Sequence, residues 1–311
     1  MRQISVARLF EDHRDRLQLT WVSAINVDRH IELKESGNSG ADVVGHLTLI
    51  HPERLQVFGA AEHQWAAGKR SERLRLLVDS LLEGKPPAIV VSDGVDIPEA
   101  ILLGCEATDT PLFSTPMPCS AVIDLLRIYL ARRLADTTSV HGVFMDVLGM
   151  GILITGDSGV GKSELALELI SRGHGLVADD VVELARTTPT TVEGRCPGML
   201  RDFLEVRGLG LLNIRTIFGE TASRRKMRLS LMAHLQKPVA GVDSPRLPLD
   251  AQTQEVLGVP IRKVIIPVAA GRNLAVLLEA AVRNTILQMR GIDSMQEFIS
   301  RQQRALLDDE N

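Results

Sequence analysis

At 311 residues, with 45% hydrophobic and 24% charged residues, the chain is too long for one ordinary core and too apolar for disorder, which suits two globular domains. A formal net charge of −4 excludes a global positive field that would draw it to nucleic acid or an anionic membrane. No apolar run approaches the roughly 18 residues of a membrane helix, so a cytoplasmic protein is expected.

Aromatic residues make up only 3%, so aliphatic side chains must fill the interior. Cys105, Cys119 and Cys196 are odd in number and widely spaced, with no CxxC and no His at zinc spacing. They read as plain thiols.

In chain order, Leu47 to Gly59 (LTLIHPERLQVFG) reads as a strand, Ser71 to Gly84 (SERLRLLVDSLLEG) as a helix, and Pro87 to Gly94 (PAIVVSDG) as a second strand. Ser71 as N-cap and Gly84 as stop make this a crossover helix in a small α/β unit. After the proline-containing STPMPCS (Ser114 to Ser120), a helix is expected over Ala121 to Asp136, and the domain boundary falls within or just after it. From His141 onward, VFMDVLG and GILITG form a hairpin turning around Gly149 to Gly151. A helix over Ser163 to Arg172 follows, with Leu165, Ala166, Leu169 and Ile170 on one face and Gly173 as its stop. Met227, Leu229, Leu231, Ala233 and Leu235 alternate as one face of a strand. The last long segment, VIIPVAAGRNLAVLLEAAVRNTILQM, reads as a strand, a glycine turn and a long apolar-striped helix.

Between the second hairpin strand and the helix lies GDSGVGKS: Gly156, Asp157, Ser158, Gly159, Val160, Gly161, Lys162 and Ser163. This is GxxxxGK[ST] in the strand-to-helix context that the phosphate loop requires. Its glycines let backbone N–H groups converge on phosphate oxygens, the helix N-terminus adds positive potential, Lys162 bridges phosphates and Ser163 ligates magnesium. Soon afterwards comes VADD, ending in Asp179 and Asp180. A ten-residue helix rises ~15 Å from the loop, and GLVA running back at ~3.3 Å per residue recovers most of that distance. The two carboxylates are therefore expected near the phosphates, and strand alternation lets one face the metal while the other meets a different partner. On spacing alone, Glu205 in LEVRGLGLLNI reads as part of a structural glycine bend, His141 as an ordinary polar residue, and Arg246 in VDSPRLPLD as a solvated loop arginine.

With these motifs in place, the sequence resembles the HPr kinase/phosphorylase family, which phosphorylates a serine of the phosphocarrier protein HPr. HGVFMDVLGMGILITGDSGVGKSELALELISRGHGLVADD is similar to its catalytic block, EVRGLGLLNI to its signature segment and PVAAGRNLA to a third loop, while residues 1–130 resemble its amino-terminal domain more loosely. PVAAGR departs from the family pattern in having no lysine ahead of its glycine. The resemblance implies that Gly156 to Ser163 hold ATP or pyrophosphate, that Lys162 stabilises the transferred group, and that Ser163 and Glu205 bind Mg²⁺, or Mn²⁺ in its place. It implies Asp180 as base in the kinase direction and acid in reverse, with Asp179 its alternative, and His141 and Arg246 completing the catalytic set. Leu204 to Asn213 would serve both reactions and Pro267 to Arg272 mainly dephosphorylation.

The partners so implied are HPr, ATP, phosphate and pyrophosphate, with no nucleic acid and no membrane, and the family implies a homohexamer. The fold expected is α/β in two domains: a small α/β amino-terminal domain over 1–130 and a P-loop kinase domain with a mixed sheet over 131–311. A small-molecule P-loop kinase or nucleotide-dependent carboxykinase, and a nucleotide sensor that binds without transfer, stay open as alternatives.

Overall fold

The computed structural model describes residues 2–23, 28–33, 40–237, 252–269 and 271–309, with side-chain environments given from residue 3 to 304. Two compact units emerge: Met1–Ala135 with Thr187–Pro189, and Asp136–Arg186 with Thr190–Asn311.

The first unit contains β1 (Arg2–Ser5), α1 (Val6–His13), β2 (Thr20–Ser23), β3 (His30–Leu33), β4 (Val44–His46), β5 (Leu55–Phe58), α2 (Ala60–Ala67) and α3 (Ser71–Glu83). It continues through β6 (Ile89–Val91), α4 (Glu99–Ala107), β7 (Leu112–Ser114) and α5 (Cys119–Arg133). Strands β4, β5, β6 and β7 run parallel in the sheet order β2-β7-β6-β5-β4, so α3 is the expected crossover between β5 and β6. Alternation divides the sheet between two cores. Leu55, Val57, Val90 and Phe113 pack with Leu9, Val122 and Leu126 on one face. Ile89, Val91 and Leu112 pack with Val78, Leu81 and Ile101 on the other. The result is helix–sheet–helix layering.

Three expected boundaries shift. The strand expected over Leu47 to Gly59 occupies only Leu55–Phe58. The preceding loop folds instead around the fully buried Gln56 amide, which accepts from Thr48 N (2.9 Å) and donates to the carbonyls of His51 (2.8 Å) and Arg54 (3.1 Å). Ser71 is the first helical residue of α3, with Arg70 in the cap position and no side-chain cap bond; Gly84 does end the helix. Helix α5 starts at Cys119, directly after Pro118, whose φ of −58° suits a helix entry, and ends at Arg133. Asp136 opens a strand instead.

The second unit contains β8 (Asp136–His141), β9 (Val143–Val147), β10 (Met150–Gly156), α6 (Lys162–Ser171), β11 (Gly175–Ala178), β12 (Val181–Thr188), β13 (Thr191–Arg195), β14 (Phe203–Val206) and β15 (Gly210–Asn213). After these come α7 (Ile214–Phe218), β16 (Lys226–Gln236), β17 (Gln252–Val256), β18 (Val259–Pro267), α8 (Leu274–Met289) and α9 (Ser294–Asp309). Its main sheet runs β11-β9-β10-β16-β13-β12-β8, with β18 also on β16 and β17 on β18. Strands β10, β16 and β18 are parallel, whereas β9 is antiparallel to β10, so the sheet is mixed. The hairpin turns at Leu148 and Gly149, with φ of 56° and 82°. Both central residues lie in the left-handed region, as a tight two-residue hairpin demands.

Strand β16 does not keep one continuous apolar face. Its pairing with β10 shifts between Leu229 and Leu231, so Ser230 is an extra residue. Met227 and Leu229 join Phe144 and Leu153 on one side, while Leu231, Ala233 and Leu235 join Ile152, Ile154 and helices α6 and α8 on the other. Two cores therefore sandwich the strand that leads into the phosphate loop and hold its end fixed.

Candidate active site

Strand β10 ends at Gly156, and α6 begins at Lys162. Gly156, Gly159 and Gly161 have φ of 145°, 73° and 99°. A side chain is excluded at Gly156 for a second reason, since a Cβ there would lie 2.6 Å from the Leu235 carbonyl oxygen. The Lys162 ammonium donates to the carbonyls of Gly156 (2.9 Å) and Asp157 (3.0 Å). Lysine has three protons to donate, so one is left for an anion in the loop.

Helix α6 closes through Gly173 at φ 93°, with Gly173 N–H bonded to Ile170 O (2.9 Å) and His174 N–H to Leu169 O (3.1 Å). Strand β11 ends at Ala178 on its return to the loop, and Asp179 and Asp180 follow in a turn rather than on the strand, so the turn and not strand alternation separates them. Asp179 is buried at 7% exposure. It accepts from the Ser163 hydroxyl at 3.4 Å and, through its other oxygen, from Glu205 N–H at 2.9 Å. Burial pushes its carboxyl above the usual range, opposed by hydrogen bonds from the backbone of Glu205 and Asp180 and from Ser163.

Asp180 points into solvent, its side chain 72% exposed. Its φ is 63°, and Val181 N–H bonds back to Asp179 O at 2.8 Å, which defines a γ-turn. Such a backbone costs on the order of 1–3 kcal/mol and is retained where surrounding structure enforces it. Here Gly142 N–H binds Asp180 O at 3.1 Å, and β8 pairs with β12 so that His141 stands opposite Val181. His141 Nδ1 thereby lies 3.6 Å from Asp180 Oδ1, both side chains exposed.

The structure thus brings together the phosphate loop, Ser163, Asp179 and the backbone of Glu205, and pairs Asp180 with His141. The Glu205 side chain is exposed on β14. Arg246 lies outside the described residues, as does Ala270 in the Pro267 to Arg272 loop. Among the described residues no group of three or more His, Cys, Asp or Glu forms a metal cage. A hydroxyl with one or two carboxylates is a donor set of the kind that suits a hard divalent cation.

One neighbour of the loop falls within the Leu204 to Asn213 segment that the resemblance marks, but residue pattern alone does not single it out. Arg207, beside Gly208 (φ 83°) in the turn between β14 and β15, sets its guanidinium against Gly159. No periodicity signals it. The three cysteines are buried, and burial raises each thiol, Cys105 to about 12 and Cys196 to about 11, in line with plain protonated thiols.

A strand, a glycine loop that aims backbone N–H groups, a lysine and a buried–exposed aspartate pair together define a phosphate-loop phosphotransferase. Family models described as HPr Serine kinase N terminus and HPr Serine kinase C-terminal domain match residues 4–130 and 132–302. The chain belongs to the HPr serine kinase family, and it is an enzyme of the kinase/phosphorylase class. It is 61% identical to an HPr kinase/phosphorylase of Azoarcus sp. over 99% of each chain, and 60% identical to one of Aromatoleum aromaticum over 98% of each. A solved structure, titled as the Hpr(Ser) kinase/phosphatase from Coxiella burnetii, is 37% identical with a TM-score of 0.47, covering 52% of this chain and 98% of that one. Among the described residues, no helix is long and apolar enough to cross a membrane.

Proposed function

We propose that the chain transfers a phosphoryl group from ATP or pyrophosphate to a serine of HPr, and that inorganic phosphate reverses the transfer, releasing pyrophosphate. The observation that carries this reading is Asp180, a solvent-facing carboxylate on a strained turn, one residue from the buried Asp179 that grips Ser163 and Glu205. An open carboxylate at a phosphate loop suits an acceptor hydroxyl on another protein, which must reach the site from solvent.

Gly156 to Ser163 bind the donor's phosphates through N–H groups, and Lys162 directs its remaining proton to the transferring group. Ser163 and Glu205 would hold Mg²⁺ or Mn²⁺, which would supply charge neutralisation when bound. Asp179 fixes both partners of that site: it accepts from the Ser163 hydroxyl and ties β14 in place through Glu205 N–H. Asp180 orients the serine hydroxyl and takes its proton late, since a carboxylate is a weak base towards an alcohol and the loose transition state develops little need for a strong one. In the reverse direction the same group returns a proton to the serine oxygen as the phosphorus–oxygen bond breaks and phosphate attacks. His141, 3.6 Å from Asp180, holds the carboxylate, and Arg246 belongs to the same set. Assembly as a homohexamer is part of this reading, drawn from the family resemblance, and light scattering checks it.

The test is to incubate the purified chain with HPr, Mg²⁺ and ATP, map phosphoserine by mass spectrometry, then add phosphate and assay pyrophosphate. Phosphoserine-HPr that is consumed as pyrophosphate appears, with both steps stopped by EDTA, supports the proposal. Absence of phosphoserine with Mg²⁺ and ATP present overturns it.

A further inference from the structure

We propose that Arg207 is a second cation at the phosphate loop, binding the transferring phosphoryl group: the outermost phosphate of the donor in the kinase direction and the phosphate of phosphoserine in the reverse reaction. The inference deepens the reading above and rests on it. Three observations converge. Leu204 and Val206 are buried in the core that also holds α6, so alternation turns Glu205 and the following Arg207 outward. Strand β14 is pinned to the site by the 2.9 Å bond from Glu205 N–H to Asp179. The turn at Arg207 and Gly208, closed by Leu209 N–H to Val206 O at 3.0 Å, then lays the guanidinium on the loop.

A Cβ on Gly159 would lie 3.3 Å from Nη1, 3.6 Å from Nη2 and 3.7 Å from Cζ of Arg207. The planar group thus faces the loop backbone at the residue whose left-handed φ of 73° helps form the anion cradle. Among the described residues this guanidinium has no carboxylate within ion-pair distance, so its fork of donors is free for an anion.

Lys162 offers a single remaining proton, whereas a guanidinium can grip two oxygens of one phosphate and hold it in line. In the kinase direction Arg207 stabilises charge on the equatorial oxygens of the transferring group. In the reverse direction it binds the same group as it leaves phosphoserine for the attacking inorganic phosphate. Atoms balance without a further reactant: the serine–phosphate bond breaks, a phosphorus–oxygen bond to inorganic phosphate forms, and the serine oxygen takes a proton.

The experiment compares full-length Arg207→Ala and Arg207→Lys with the unaltered chain. Initial transfer rates to and from HPr are measured with and without added guanidinium, together with titration of Mg²⁺-pyrophosphate alone and of a fluorescent ATP analogue. For Arg207→Ala we expect kcat to fall about 10²-fold or more in both directions and pyrophosphate to bind about tenfold more weakly. The melting temperature should hold, and guanidinium should restore part of the rate. Arg207→Lys should recover less than half of the lost activity, because a point charge does not reproduce the fork. Unchanged pyrophosphate affinity in Arg207→Ala, or a rate loss that tracks a lowered melting temperature and is not rescued by guanidinium, overturns the proposal. Because the pyrophosphate titration needs no HPr, it decides Arg207 separately from the choice of acceptor protein.

Discussion

Asp179 and Asp180 are chemically identical neighbours with opposite environments, and the turn that follows β11, with Asp180 at φ 63°, makes them so. The pair is legible in the sequence because helix rise and strand length add up from residue counts alone. The γ-turn that swings Asp180 into solvent is not legible, since aspartate visits positive φ more readily than most residues but does so at only some positions, and nothing local marks this one. Burial that raises the Asp179 carboxyl means the folded chain favours its protonated form. The strain of keeping it ionised is therefore present above its folded pKa and relieved as pH falls through that value, which lies above the ordinary 3.8. Asp179→Asn should melt at or above the unaltered chain at pH 7, with the difference shrinking on acidification towards pH ~4, while transfer is lost. Thermal melts at both pH values check this, and a lower melting temperature at pH 7 would show that the ionised carboxylate stabilises the fold. Lys162→Ala should abolish transfer with circular dichroism unchanged, because the ammonium contacts only two loop carbonyls.

At the scale of elements, the phosphate loop works because its flanks are rigid. Strand β10 is clamped between two cores, and α6 ends on Gly173 in a geometry that side chains resist. A Cβ at Gly173 would meet nothing within 4 Å, so Gly173→Ala isolates the backbone cost of φ 93°. We expect a loss of ~1–2 kcal/mol, read as a lower denaturation midpoint with little change in the transfer rate of the folded fraction. A midpoint equal to that of the unaltered chain would place the helix stop elsewhere.

The elements that sequence alone misplaces have separate causes. A period-2 template cannot see an inserted residue, so the Ser230 bulge leaves the alternation of β16 intact on paper while dividing its faces between two cores. Strand β8 is hidden because the helical run through ARRLAD passes into it without a glycine or proline. Arg207 lies in the segment that the resemblance implies for both reactions, yet is not singled out within it, because the glycine bend around it has an adequate structural explanation.

For the whole molecule, every described residue assigned to phosphoryl transfer lies after Asp136, on the unit with the mixed sheet and its own two cores. A fragment comprising residues 131–311 should therefore fold alone and keep part of the transfer activity. A soluble, folded fragment inactive in both directions would make the amino-terminal unit part of the site. That unit has a complete helix–sheet–helix core, and its crossover is legible because α3 carries its apolar stripe between two β-rich runs. The central claim is that a single site, with Asp180 as its shared acid–base carboxylate, runs both reactions. The most direct measurement pairs two initial rates for Asp180→Asn at saturating donor: phosphate incorporation into HPr, and pyrophosphate release from phosphoserine-HPr. Both should fall together by about 10²-fold or more, with nucleotide affinity nearly unchanged. Loss of only one rate would contradict a shared acid–base group and transfer the spared direction to Asp179.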